Sequence, residues 1–103
     1  MLKEDVLRTI ESLRGEIFKK YKVKKIGLFG SLIKGNAREN SDIDILAEFK
    51  EDADLFDFLG LIVFLEAKLN HKVDLVPKSA LRSELKELIL KEVAYIWGII
   101  KYI

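Results

Sequence analysis

The chain has 103 residues, 50% of them hydrophobic and 34% charged, with 18 Lys and Arg against 17 Asp and Glu. That length suits one compact domain, residues 1–103, and the composition is that of an ordered chain, not a disordered one. A net charge of +1 gives no long-range attraction for nucleic acid, so no DNA partner is expected and any anion site must be local. Cysteine is absent, which excludes a disulfide framework and a thiolate metal site and points to the cytoplasm. The start, Met1-Leu2-Lys3-Glu4-Asp5, lacks the apolar core of a secretion signal. The longest apolar run, 58–65, is far short of the roughly 20 residues needed to span a bilayer, so no membrane association is expected.

In chain order, Val6, Ile10, Leu13, Ile17 and Phe18 recur at three- and four-residue steps, which predicts one amphipathic helix over 3–20. Lys19, Lys20, Lys22, Lys24 and Lys25 follow closely. They read as a solvated helix end, where cations suit the dipole, or as a positive rim that attracts an anionic ligand. Residues 25–30 form a predicted first strand. Ser31 to Lys34 is a short helical turn, with Ser31 as its cap and Gly35 as its stop. A polar loop, 36–41, leads into a second strand over 42–49. There Ile43, Ile45 and Ala47 face one way and Asp42, Asp44 and Leu46 the other.

A second long helix is predicted over 54–70 with Asp54 as N-cap. It is apolar almost all round, so either it is the core helix or residues 55–65 partly face another subunit. Lys72 to Val76 is a third strand stopped by Pro77. His71, the only histidine, sits at the turn before it and has no neighbouring metal ligands, so a structural role is expected. A last amphipathic helix over 81–92, capped by Ser79 or Ser83, precedes a short fourth strand over 93–96. The apolar tail 97–103 must pack on the domain or on a partner. Tyr95 and Tyr102 are expected in packing. The predicted fold is α+β with α/β alternation: a small mixed sheet of three to four strands flanked by helices.

The chemistry concentrates between Gly30 and Ile45. Gly30-Ser31 closes an apolar strand, and Asp42 and Asp44 lie on one side of the next. Paired carboxylates repel, and a fold keeps them where a cation neutralises them or where one stays protonated. A turn with free N–H groups beside two carboxylates suits a triphosphate with Mg²⁺. Asp74, inside the third strand, is either salt-bridged or a third metal ligand. If its strand neighbours the second, all three carboxylates converge as in a two-metal phosphoryl-transfer site. There is no Walker A or Gly-x-Gly-x-x-Gly pattern, so a P-loop ATPase and a dinucleotide-binding Rossmann domain are poorly supported.

Gly30-Ser31, ten residues, then Asp42-Ile43-Asp44 resembles the G-S-x10-D-x-D signature of the DNA polymerase β-like nucleotidyltransferase superfamily. Lys34-Gly35, Ala37-Arg38, Ser41-Asp42-Ile43-Asp44 and Lys72-Val73-Asp74-Leu75-Val76 resemble its minimal nucleotidyltransferase (MNT) family across nearly the whole chain. Lys34 departs from the arginine usual in relatives, which keeps the charge but loses the bidentate fork.

The resemblance implies a polymerase β-like fold and a magnesium-dependent nucleotidyltransferase. Asp42, Asp44 and Asp74 would be catalytic and hold two Mg²⁺ ions. Gly30, Ser31, Lys34, Arg38 and Ser41 would bind ATP. It further implies transfer of AMP to a tyrosine of a HEPN-domain ribonuclease toxin, with this chain as the antitoxin. A homo-oligomer through helix 55–65 and tail 97–103 is compatible with the same apolar surfaces. The alternatives are transfer to a small molecule or an RNA end, and toxin neutralisation by binding alone.

Overall fold

The computed structural model describes residues 2–35, 38 and 40–96. Five helices and four strands alternate: α1 (Lys3–Ser12), α2 (Arg14–Lys20), β1 (Val23–Phe29), α3 (Ser31–Lys34), β2 (Ile43–Phe49), α4 (Leu55–Leu69), β3 (Val73–Pro77), α5 (Ser83–Glu92) and β4 (Ala94–Ile96). The strands form one mixed sheet in the order β3-β2-β1-β4. β1 is antiparallel to both β2 and β4, while β2 and β3 are parallel. A parallel pair needs a crossover, and α4 supplies it. The α+β expectation holds, with the mixed sheet at four strands.

The first predicted helix is two. The break falls at Leu13, whose N–H bonds the carbonyl of Ile10, three residues back, instead of Thr9. Gly15, one residue into α2, is a poor helix former and favours re-initiation there over a single rod. The apolar stripe survives the break: Val6, Ile10, Ile17 and Phe18 are all buried.

These residues cover one face of the sheet, together with Leu61 and Leu65 of α4. On that face Ile26, Leu28, Ile43, Ile45, Ala47, Val73 and Leu75 join a continuous core. Phe29 and Leu46 are also buried but belong to the opposite face, because side chains alternate along a strand.

α4 begins with a reciprocal capping box. The Asp54 carboxylate accepts from the Asp57 N–H at 3.1 Å, and the Asp57 carboxylate accepts from the Asp54 N–H at 3.0 Å. Asn70 ends the helix in the left-handed conformation. The helix is not buried all round: Leu61 and Leu65 are enclosed, whereas Leu55, Phe56, Leu59 and Val63 are exposed. At α5 neither predicted serine caps the helix. Arg82 holds the cap position without a side-chain bond, and Lys78–Ala80 form a 3₁₀ turn instead. The tail 97–103 lies outside the described residues. Among the described residues, no helix is long and apolar enough to cross a membrane.

Candidate active site

Gly30 ends β1 with φ +74° and ψ −147°, a backbone state essentially reserved for glycine. It is the N-cap of α3, one residue before the predicted cap Ser31, which is instead the first helical residue of the predicted turn 31–34. Gly35 closes this single turn in the left-handed region at φ +81°. The turn lies against the start of β2. A Cβ on Gly30 would overlap the Asp44 carboxylate, so the absence of a side chain at position 30 is what admits the acid.

Asp44 has two cross-strand partners. Phe29 pairs with it from β1 and Asp74 from β3. Partners in register present their side chains on the same face. Asp44 therefore sits between an apolar ring and a second carboxylate. Its pKa is raised, first because burial penalises the charge and then by the Asp74 charge, with smaller contributions from Asp42 and Glu92. The Ser31 N–H donates to Asp44 and opposes the rise.

Asp42 lies just before β2, outside the strand as assigned, and is exposed. Asp74 is exposed as well, so it stands on an open surface without the burial cost its apolar neighbours suggested. Among the described residues no charged side chain is buried and no three His, Cys, Asp or Glu side chains close into a metal cage. What stands together is a pair of carboxylates on adjacent strands, with others close enough to repel. Magnesium is commonly held by one or two carboxylates together with the phosphates of its nucleotide. The oxygen donors and the uncompensated negative charge on Asp44 fit that ion.

The remaining predicted residues surround this pair unevenly. Arg38 and Ser41 shape the loop before Asp42: the Ser41 hydroxyl accepts from the Arg38 N–H at 3.0 Å, and the Ser41 N–H donates to the Arg38 carbonyl at 3.0 Å. His71 Nε2 hydrogen-bonds the Ser41 carbonyl, which is a structural use, as expected. Lys34 is mostly exposed, with Nζ 3.6 Å from Glu92.

Glu92 is the residue that sequence reasoning missed. Its Oε1 accepts from the Gly30 N–H at 3.1 Å. Nothing in its surroundings marks it: it reads as one more charge at the end of an amphipathic helix, and its partner is 62 residues away. The N–H groups of Gly30 and Ser31, expected to face phosphate, are thus both directed at carboxylates. An apolar concavity of about 420 Å³ beside Phe49, Phe58 and Pro77 lies at the other end of β2. Five residues of strand, roughly 16 Å, separate it from Asp44, so it is not part of this site.

A mixed sheet with a glycine turn at one strand end, facing carboxylates on the next two strands, is the arrangement expected of a nucleotidyltransferase. The chain belongs to the nucleotidyltransferase domain family, whose pattern matches residues 10–96. It is 40% identical over 93 residues to the protein adenylyltransferase MntA of Thermococcus cleftensis, spanning 90% of this chain and 94% of that one. A solved chain described as a minimal nucleotidyltransferase superposes with a TM-score of 0.79 at 33% identity, covering 91% of this chain and 95% of that one. A toxin–antitoxin crystal structure with AMP-PNP superposes at 0.69 with 26% identity, covering 89% and 76%.

Proposed function

We propose that this nucleotidyltransferase is a magnesium-dependent protein adenylyltransferase that moves AMP from ATP onto a tyrosine hydroxyl of a HEPN-type toxin and acts in the cytoplasm as its antitoxin. The observation that carries the reading is the Asp44–Asp74 pair, in register on adjacent parallel strands, with Asp44 pressed against the Gly30 turn. The relative named as a protein adenylyltransferase and the toxin–antitoxin structure with an ATP analogue support the choice of nucleotide and acceptor class.

In this mechanism Asp42 and Asp44 would hold magnesium for the nucleotide phosphates, and Asp74 would complete the ligand set for the acceptor. Bound there, the two ions would neutralise phosphate charge and lower the pKa of the acceptor hydroxyl. Ser31, Lys34, Arg38 and Ser41 line the approach of the triphosphate to the Gly30 turn. The acceptor oxygen attacks the α-phosphorus, the bond to the bridging oxygen breaks, pyrophosphate leaves, and the hydroxyl proton passes to solvent or to Asp74. Positioning and charge neutralisation by fixed groups supply most of the rate. The exposed stripe Leu55, Phe56, Leu59 and Val63 on α4 gives a protein acceptor a surface to hold.

The test is transfer of label from α-labelled ATP to a purified toxin partner, with Asp42→Asn and Asp44→Asn as controls. Labelling that survives both substitutions sinks the site assignment. Loss of labelling with toxin inhibition intact favours neutralisation by binding, and labelling of a small hydroxyl compound or an RNA end in place of protein moves the acceptor class.

A further inference from the structure

The Gly30 turn already holds an anion. Glu92, at the last position of α5, accepts the Gly30 N–H at 3.1 Å with one oxygen, and its other oxygen stands 3.6 Å from Lys34 Nζ. A backbone donor from a glycine turn and a lysine ammonium are the pair of contacts a terminal phosphate seeks. The Glu92 side chain is only 25% exposed, and it adds repulsion to Asp44. A carboxylate placed at electrostatic cost in a phosphate-like position is a competitor for that position.

We infer that Glu92 is an internal stand-in for phosphate, which the β- and γ-phosphates of the nucleotide displace from Gly30 and Lys34, so that this residue sets triphosphate affinity. The inference rests on the nucleotidyltransferase reading of the site. Displacement has a structural consequence, because β4 begins two residues after Glu92 and pairs with β1. Filling the turn with phosphate releases the end of α5 from the site while β4 keeps its place in the sheet.

The experiment compares wild type, Glu92→Gln and Glu92→Ala by calorimetric titration with MgATP, AMP and inorganic pyrophosphate, with the fold of each checked by thermal melting. Both variants are expected to bind MgATP and pyrophosphate more tightly, on the order of tenfold, the scale of one charge-assisted hydrogen bond. AMP, which lacks the displacing phosphates, is expected to bind as before. A residue that merely braced the fold would not separate AMP from ATP. Wild type that binds MgATP while both folded variants bind it equally or more weakly overturns the inference and leaves the proposed function standing. Pyrophosphate binding that tightens in the variants when no version binds MgATP keeps Glu92 as a competitor for phosphate at the turn and overturns the nucleotide reading, and with it the part of the inference that names a triphosphate. Failure of every version to bind either anion overturns both.

Discussion

Asp44 and Asp74 are direct partners in the parallel ladder between β2 and β3, on backbones about 4.8 Å apart. Among the described residues neither carboxylate forms an ion pair, and the Lys34 ammonium at the site stands 3.6 Å from Glu92. The pair therefore destabilises the metal-free protein and becomes favourable once a divalent ion neutralises it. Melting temperature is expected to rise with MgCl₂ in wild type. Asp44→Asn is expected to raise it by a few degrees in EDTA and to abolish the magnesium response. An unchanged magnesium response in Asp44→Asn would place the ion elsewhere.

The same arrangement fixes a sign for the pH dependence. Asp44 has a raised pKa in the fold, so the folded chain binds this proton more tightly than the unfolded chain. Its contribution to stability is greatest below the ordinary carboxylate value, near 3.9, and falls as pH rises towards the folded pKa. Glu48 runs the other way: its hydrogen bond with Lys78 lowers its pKa, so its stabilisation is lost in acid. The two trends overlap in wild type. The difference in melting temperature between wild type and Asp44→Asn, followed in EDTA from roughly pH 4 to 7, isolates Asp44 and is expected to grow with pH.

Gly30→Ala tests the contact that brings the turn and the acid together. The backbone state alone costs a non-glycine residue about 1–3 kcal/mol, and the new methyl group would occupy the space of the Asp44 carboxylate. The substituted protein is expected to melt lower than wild type and to lose magnesium-dependent stabilisation. Gly35→Ala, where a Cβ meets nothing within 4 Å, is expected to show the backbone cost with the magnesium response retained. Equal magnesium responses in the two variants would show that the clash at Asp44 is unimportant.

Much of this site was legible because its parts are local. Gly30, Ser31, Asp42 and Asp44 sit within one turn and two strand ends, and alternation alone puts Ile43 and Ile45 in the core and Asp44 opposite. Asp74 was legible as an acid in an apolar strand, but its neighbour was conditional on which strands pair, and the β2–β3 ladder supplies that. Glu92 was illegible because its role depends on a contact across 62 residues. The break at Leu13 escaped notice because a stripe of apolar residues can continue across two helices as readily as along one. The exposure of α4 was left between two readings for a related reason: composition gives the number of apolar residues, and only packing decides which of them have something to cover.

The capping box of α4 is a local feature that the sequence showed in part, since Asp54 was readable as the cap while the return bond from Asp57 was not. Asp54→Ala removes an acceptor from the Asp57 N–H and is expected to cost about 1 kcal/mol, or about 5 °C in melting temperature for a chain of this size. Asp57 also lies 3.9 Å from Lys22, so Asp57→Ala is expected to cost at least as much. Neither residue touches the carboxylate pair, and the magnesium shift is expected to stay the same in both.

The exposed stripe on α4 separates stability from partnership. Phe56 is 83% exposed and Val63 68%, whereas Leu61 on the same helix is fully enclosed. Leu61→Ala is expected to cost about 3–5 kcal/mol through lost burial and the cavity left behind, enough to threaten a fold with typical stability. Phe56→Ser with Val63→Ser is expected to leave melting nearly unchanged, because neither side chain loses much contact. If the stripe is where a protein acceptor is held, that double variant keeps MgATP binding and loses AMP transfer to the toxin. Full transfer by the double variant would remove α4 from the acceptor surface and leave the carboxylate site untouched.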